Sequence, residues 1–374
     1  MNLSQVFDDH LSHDPDGPVL LVGGYGTVGA ELARSAVSAW PLLLTGRSEQ
    51  RGAALAEELH RADGARPVTA RRWDLADPEP FGAAVRAVVG VVNDPDDRVL
   101  RAAARAGVPF VDVTRWTARL QRAATVAALL RPAAPVLLSS AWMGGVTGLV
   151  TAALAERLGG AEQVEIAIRW DLGDRAGADS VEFMDRLGLD YEVVHEGRRR
   201  SVAPLDGART VLIGDSATRV AGIDTPEQFT LPLTLGTTTA TTRIGFSSRI
   251  GTAALLAAKH AGFFRWGRGE RWEPARRALL YSPGEGGVAR LRIDVTHDGQ
   301  ALSAVVEDRA GQAHLTAVGA LLGLRRALGA DGAAAPVGVA FPEQTPRPGQ
   351  VLADLAALGV TVDVRSERRA GAAA

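Results

Sequence analysis

The chain has no cysteine, which excludes disulfides, thiolate nucleophiles and cysteine-bound zinc. It has almost no lysine: of 41 basic residues, only Lys259 is one. A Tyr-x-x-x-Lys pair is therefore absent, since Leu255 stands four before Lys259, and so is a phosphate-loop lysine. No uncharged apolar run is long enough for a membrane-crossing helix, so no membrane partner is expected. A net charge of −2 gives no surplus to draw nucleic acid or an anionic lipid surface. There is no His-Glu-x-x-His, no serine nucleophile elbow and no clustered metal ligands, so no metal is expected. The opening segment, residues 1–17, is acidic and polar, unlike a signal or transit peptide, and a cytoplasmic location is expected.

What is present begins with Val19 to Val22, an apolar run that feeds directly into glycines. Gly24-Tyr25-Gly26-Thr27-Val28-Gly29 is a G-x-G-x-x-G sequence followed by a helical pattern to about Ala39. Each glycine has a physical task. Gly24 allows the tight turn off the strand, Gly26 lets a pyrophosphate approach the backbone, and Gly29 lets the helix pack closely on the strand. The helix then offers its free N–H groups and positive dipole end to the phosphates. The strand before and the helix after this turn point to a dinucleotide site.

Strand-like runs recur at Leu42 to Thr45, Pro67 to Trp73, Val88 to Val92, Val108 to Val113 and Val136 to Ser140. Helical patterns alternate with them: Ser48 to about Ala62, Asp77 to about Ala87, Asp96 to about Ala106 and Thr117 to Arg131. This rhythm predicts an α/β fold, a Rossmann-type doubly wound parallel sheet, over residues 18–145. Residues 1–17 read as a flexible arm. From 146 to 330 the pattern changes to strands of period two, hairpins and helices. Examples are Val164 to Trp170, Tyr191 to Val202, Thr237 to Ile244, and Ala289 to Thr296 with Ala301 to Glu307 about His297-Asp298-Gly299-Gln300. An α+β substrate and dimerisation domain with an antiparallel sheet is predicted there. Residues 331–374 are expected to pack back near the first domain.

The end of the second strand reads the adenosine ribose. An acidic residue there would indicate NAD. The chain instead has Thr45-Gly46-Arg47-Ser48: Gly46 leaves room, Arg47 can fork onto a 2′-phosphate and Ser48 can donate to it. NADP(H) is the favoured cofactor; the alternative is a solvated Arg47 with Glu49 reaching the ribose. Strand order places Asp74 and Leu75 beside the adenine, and Asn93, Asp94 and Pro95 where the chain passes the nicotinamide.

These features resemble the saccharopine dehydrogenase-like reductases, in a bacterial branch of uncertain substrate. The resemblance rests on Val22 to Gly29, Thr45 to Ser48, Val91 to Pro95, Pro109-Phe110-Val111-Asp112-Val113-Thr114, and Ser140 to Gly148. It is specific over residues 18–150 and architectural beyond. Where the family often has Asp-Pro-Gly, this chain has Met143-Gly144-Gly145. The resemblance implies a Rossmann domain, an α+β second domain, a homodimer and hydride transfer with NADP(H). It also implies reduction of C=N bonds joining amino acids to carbonyl compounds, with reduction of carrier-bound C=C bonds in some relatives.

Imine reduction asks the protein only to hold the C=N carbon over the nicotinamide and to keep its nitrogen protonated or near an acid. Candidate catalytic residues are Asp171, in a loop after a strand, and Tyr191 and His195, which share a strand face. Trp142 and Met143 are candidates to wall the substrate, and Arg169 and Arg243 to hold a carboxylate. Each has a structural alternative: loop solvation, a half-buried hairpin pair, core packing. The sequence thus predicts an NADP(H)-dependent oxidoreductase, an imine reductase acting on a small molecule. The alternatives are a carrier-linked enoyl reductase and a non-catalytic Rossmann binding protein.

Overall fold

The computed structural model describes residues 8–174, 186, 187, 189–266, 284 and 286–367. It divides into two compact units, Met1–Ser140 with Thr316–Pro342, and Ala141–Leu315 with Glu343–Ala374.

In the first unit, β1 (His10–His13) precedes β2 (Val19–Val22), α1 (Thr27–Ala36), β3 (Leu42–Gly46), α2 (Glu49–His60) and β4 (Val68–Arg72). Then come β5 (Gly82–Val85), β6 (Ala87–Gly90), α3 (Arg98–Ala106), β7 (Phe110–Asp112), α4 (Thr117–Leu130) and β8 (Pro135–Leu138). The main sheet is parallel and runs Gly338–Ala340, β8, β7, β6, β2, β3, β4. The chain lays β3 and β4 to one side of β2 and β6, β7 and β8 to the other. That reversal makes a crevice at the carboxyl ends of β2 and β6, where such sheets bind ligands. Apolar runs explain the strands: Leu20, Leu21, Leu44, Val88, Val89, Val111 and Leu137 are fully buried, as expected for strands covered on both faces.

Two expectations change in this unit. The segment Asp77 to Ala87 is not a helix; residues 82–85 form β5, which pairs in parallel with β1. Residues 8–17 therefore do not form a loose arm. The cause is Arg98, buried to 2% exposure, whose guanidinium needs several acceptors at once. Its Nε and Nη2 donate to Asp9 at 2.7 and 2.8 Å, Nη2 also to the Glu79 carbonyl at 2.6 Å, and Nη1 to the Asp77 carbonyl. Extended chain supplies those carbonyls; a helix would have consumed them. Trp73 stacks on Phe81 at 4.3 Å between ring centroids and closes the same loop.

The second unit holds α5 (Val146–Leu158), β9 (Gln163–Trp170), the hairpin of β10 (Tyr191–His195) and β11 (Arg198–Val202), β12 (Arg209–Ile213) and β13 (Ser216–Gly222). There follow α6 (Glu227–Thr234), β14 (Thr239–Phe246), α7 (Arg249–His260), β15 (Ala289–His297) and β16 (Gln300–Asp308). Its sheet runs β12, β13, β14, β9, β15, β16, then Thr361–Glu367. It is mixed rather than antiparallel, because β14 and β9 run parallel. The chain end splits: Gly338–Ala340 extends the first sheet, whereas Thr361–Glu367 pairs with β16 in the second. Residues 331–374 thus do not form one segment beside the first domain. α5 is buried at almost every position, including Val150 and Leu154, and packs against β15 and β16.

The Asp9–Arg98 pair anchors the N-terminal strand. Asp9→Ala leaves a buried guanidinium short of a carboxylate and is expected to cost about 3–5 kcal/mol, read from urea unfolding. An Asp9→Ala, Arg98→Met double variant is expected to recover part of that loss. A cost within error of zero for Asp9→Ala would refute the anchor.

Candidate functional site

The glycine turn is built by close approach. A Cβ on Gly29 would lie 2.3 Å from the Gly23 carbonyl oxygen and 2.8 Å from the Gly24 Cα. Gly29 therefore packs α1 onto the turn, as its position in the sequence predicted. The left-handed residue is Gly23, at φ +86°, one before the first glycine of the motif. Gly24 is instead confined by space: its Cβ would meet the Leu21 carbonyl oxygen at 2.9 Å. Gly26 stands at the N-cap of α1 in extended conformation, with no side-chain cap and no acidic residue in the first turn. A Cβ there would touch only the Gly23 carbonyl oxygen, at 3.2 Å. The exposed Thr27 and half-exposed Val28 begin the helix. The first N–H groups of α1 thus face an approach with no side-chain acceptor and no competing charge, which fits an anionic pyrophosphate.

At the end of β3, Tyr25 reaches across from the glycine turn. Its hydroxyl would lie 2.4 Å from a Cβ on Gly46, so only glycine admits the ring. The Tyr25 hydroxyl oxygen accepts from the Ser48 N–H at 2.5 Å. The Ser48 hydroxyl oxygen caps α2 by accepting from the Arg51 N–H at 3.3 Å. Arg47 is exposed, and among the described residues no ion pair or hydrogen bond engages it. Beyond β4, a cleft of about 330 Å³ is lined by Glu49, Arg71, Arg72, Asp74 and Phe81, among others. Asp74 lines it while its Oδ1 accepts from the Ala76 N–H at 3.2 Å. The Leu75 carbonyl points to Arg98 at 3.4 Å, so its backbone acceptor is already engaged.

At the other side of the crevice, Asn93 accepts from Arg119 and the Pro95 carbonyl from Arg122. Asp94 is buried and caps α3: its two oxygens accept from the Arg98 and Val99 N–H groups, each at 2.9 Å. Its carboxylate is committed inward, so Asp94 can meet a ligand only through its backbone. Asp97, Asp112 and Arg115, which the sequence reading left unassigned, complete the cluster. Arg115 Nε donates to Asp112 at 2.7 Å and Arg115 also pairs with Asp97. Asp112 further accepts from the Thr114 N–H at 2.9 Å. Burial pushes the Asp94 carboxyl up to about 6, against the pull of Arg115.

The second unit places the remaining candidates. Met143, Gly144 and Gly145 all have positive φ, at 54°, 63° and 96°. Proline, fixed near −65°, does not fit the backbone that Gly144 adopts here. The Trp142 N–H donates to Glu227 at 2.8 Å, and its ring meets Trp170 edge-on at 6.1 Å. Asp171 Oδ1 accepts from the Gly173 N–H at 3.1 Å and the Ser247 hydroxyl at 3.2 Å, tying together the ends of β9 and β14. Tyr191 and His195 do share a face of β10, with buried Val193 between them. Burial raises the Tyr191 phenol above its usual range, making it a weaker acid. His195 stands at the other end of the strand, about 13 Å along at the usual rise, with its Nδ1 3.7 Å from Glu196. Arg243 is already engaged: Nη1 donates to Thr241 at 3.0 Å and to Glu165 at 3.4 Å. Arg169 lies diagonal to Arg243 on the same sheet face, with no ion pair among the described residues. The structure thus brings Arg169 and Arg243 together and separates Tyr191 from His195.

Two buried pairs carried no sequence signal. Glu343 accepts from the Thr234 hydroxyl at 2.9 Å, and burial raises its carboxyl above the usual range, with Glu227 adding to the shift. His314 Nδ1 lies 2.7 Å from Asp308. Thr234 and Glu343 are 109 residues apart and Asp308 and His314 are 6 apart, and no motif marks either pair.

Because the folded Asp94 pKa lies above its unfolded value of 3.8, the native state holds the proton more tightly. Its contribution to stability is therefore fullest below pH 4 and falls as pH rises through about 6. The stability advantage of wild type over Asp94→Asn is expected to shrink by on the order of 2 kcal/mol across that window. Denaturant titrations at several pH values read it; an advantage that grows with pH would contradict it.

No family model and no curated protein matches the sequence. Solved structures do. Saccharopine dehydrogenase (L-Glu forming) from Saccharomyces cerevisiae aligns over 94% of this chain and 100% of its own, at 13% identity and a TM-score of 0.62. Looser likenesses are to a diaminopimelate dehydrogenase of C. glutamicum (12% identity, 92% of this chain, 99% of that one, TM-score 0.40) and a 3-ketoreductase of Actinomadura kijaniata (13%, 94%, 96%, 0.35). At these identities the likeness to the yeast enzyme establishes the fold: a Rossmann-type parallel sheet accompanied by a second, mixed sheet.

Proposed function

We propose that the protein is an NADP(H)-dependent oxidoreductase that reduces an imine or related C=N bond of a small molecule. The observation that carries the nucleotide reading is the N-terminus of α1, reached over backbone alone at Gly26 and free of any side-chain cap. The unpaired Arg47 beside Gly46 and Ser48 supports a 2′-phosphate. The yeast dehydrogenase with the same fold supports the reaction class, and the C=N preference rests on the sequence resemblance.

When bound, the nicotinamide supplies the hydride. The protein's part is to hold the pyrophosphate on the α1 N–H groups, the ribose phosphate at Arg47 and Ser48, and the nicotinamide end against the backbone of Asn93 to Pro95. Trp142 and Met143 are proposed to wall the substrate, and Arg169 to hold a carboxylate, since Arg243 is occupied by Glu165. An iminium carries its own proton, so a strong protein acid is not required. Asp171, Tyr191 and His195 remain the candidate proton donors in the second unit. A non-catalytic nucleotide-binding protein is the second reading. It is favoured by Asp171, whose Oδ1 already serves two structural hydrogen bonds.

Arg47→Ala is expected to weaken NADPH binding about tenfold, the loss of one charge-assisted contact, and to change NADH binding little. Isothermal titration reads both. Oxidation of NADPH followed by absorbance, with amino acid and carbonyl pairs and with enoyl thioesters, then separates the chemistries. Turnover only with enoyl thioesters would replace the C=N reading, binding without any turnover would favour the second reading, and no binding of either nucleotide would remove both.

A further inference from the structure

We propose that Tyr25 is a specificity-determining residue, a hydrogen-bond donor to the 2′-phosphate of the nucleotide. This rests on the nucleotide reading above and extends it from the turn backbone to one side chain. Four observations converge on it. First, the ring is held between the end of β3 and the first turn of α2: Cβ atoms on Gly46 and Gly52 would come to 2.4 Å from its hydroxyl oxygen and 3.3 Å from its Cδ1. Second, the hydroxyl oxygen already accepts from the Ser48 N–H, at 2.5 Å. That bond directs the remaining O–H proton away from the backbone, and among the described residues it finds no acceptor. Third, the Ser48 hydroxyl oxygen accepts from the Arg51 N–H, so it too is left with a proton to donate. Fourth, among the described residues neither cation there pairs with a carboxylate: Arg47 is exposed without an ion pair, and the Arg51 guanidinium lies 5.4 Å from the Tyr25 ring centroid.

Two hydroxyls turned into donors beside two arginines form a receptor for an anion. A ribose 2′-hydroxyl donates to a carboxylate in the usual NAD arrangement, and none of Tyr25, Ser48, Arg47 and Arg51 supplies one; the neighbouring carboxylate, Glu49, lines the cleft beyond β4. A 2′-phosphate offers three acceptor oxygens to the same four groups. Gly46 is then explained by the ring it admits, which fills the space a side chain would take and places the phenol beside Ser48.

Isothermal titration with 2′,5′-ADP and 5′-ADP tests this without any reaction. Wild type is expected to prefer 2′,5′-ADP. Tyr25→Phe keeps the ring on Gly46 and removes the hydroxyl, both the proposed donor and the acceptor of the Ser48 N–H; it is expected to cut that preference about fivefold or more while 5′-ADP affinity stays within twofold. Gly46→Ala, which drives the ring off the strand end, is expected to lose the preference as well. An unchanged preference in Tyr25→Phe, or an equal loss for both ligands, would overturn the proposal. If wild type binds both fragments equally, the Tyr25 role fails and the nucleotide site stands. If it binds neither fragment and neither nicotinamide nucleotide, the nucleotide site itself fails.

Discussion

The contact between Gly29 and the turn at Gly23 and Gly24 is the constraint on which the first unit depends. With less than 3 Å to spare at a Cβ position, α1 can start only where its first peptide groups lie over the end of β2. This fixes the helix axis against the strand and leaves its N-terminus uncapped at the switch point of the sheet. The same geometry places Tyr25 between the end of β3 and α2, where Gly46 and Gly52 receive it. A single run of glycines thus sets both the uncapped helix end and the arrangement of hydroxyls one strand away.

On the opposite side of the switch point, burial is used differently. Asp94, Asp97 and Asp112 surround Arg115, and Arg98 is enclosed by Asp9 and by carbonyls of the 74–79 segment. Buried pairs of this kind add little net stability, but breaking one leaves a charge without water or partner. Their effect is to fix loops. The loop after β6 is held by the cap on α3, and the loop after β4 by Arg98. Together the two networks hold the ends of three strands beside the crevice in one conformation. That suits the proposed function, in which placing a cofactor matters more than a reactive side chain.

The parallel sheet was legible in the sequence because its signals are local: apolar runs four to six residues long, glycine turns, and caps such as Ser48. The glycine turn and the end of β3 were legible for the same reason. The segment from Asp77 to Ala87 was not, because its Asp-Pro start matches a helix cap, while what decides its shape is a guanidinium about twenty residues onward. Asp94 was legible as a strand-end residue but not as an inward-facing cap, since the sequence does not show which way a carboxylate turns. In the second unit, β12 and β13 passed without a strong alternating pattern, and the pairing of β14 with β9 is a long-range parallel contact that no turn announces. Tyr25 shows a further limit: the motif defines its position as free, and only its packing onto Gly46 gives the side chain a task.

We propose that the turn at residues 23–29 binds a nicotinamide dinucleotide bearing a 2′-phosphate. Native mass spectrometry of the purified protein with NADPH and NADH added together at equal concentration tests it most directly, and also reports subunit number. The account predicts a mass shift corresponding to NADPH in preference to NADH. A shift for NADH alone would contradict the 2′-phosphate reading, and no shift with either would mean that the glycine turn serves the fold and nothing more.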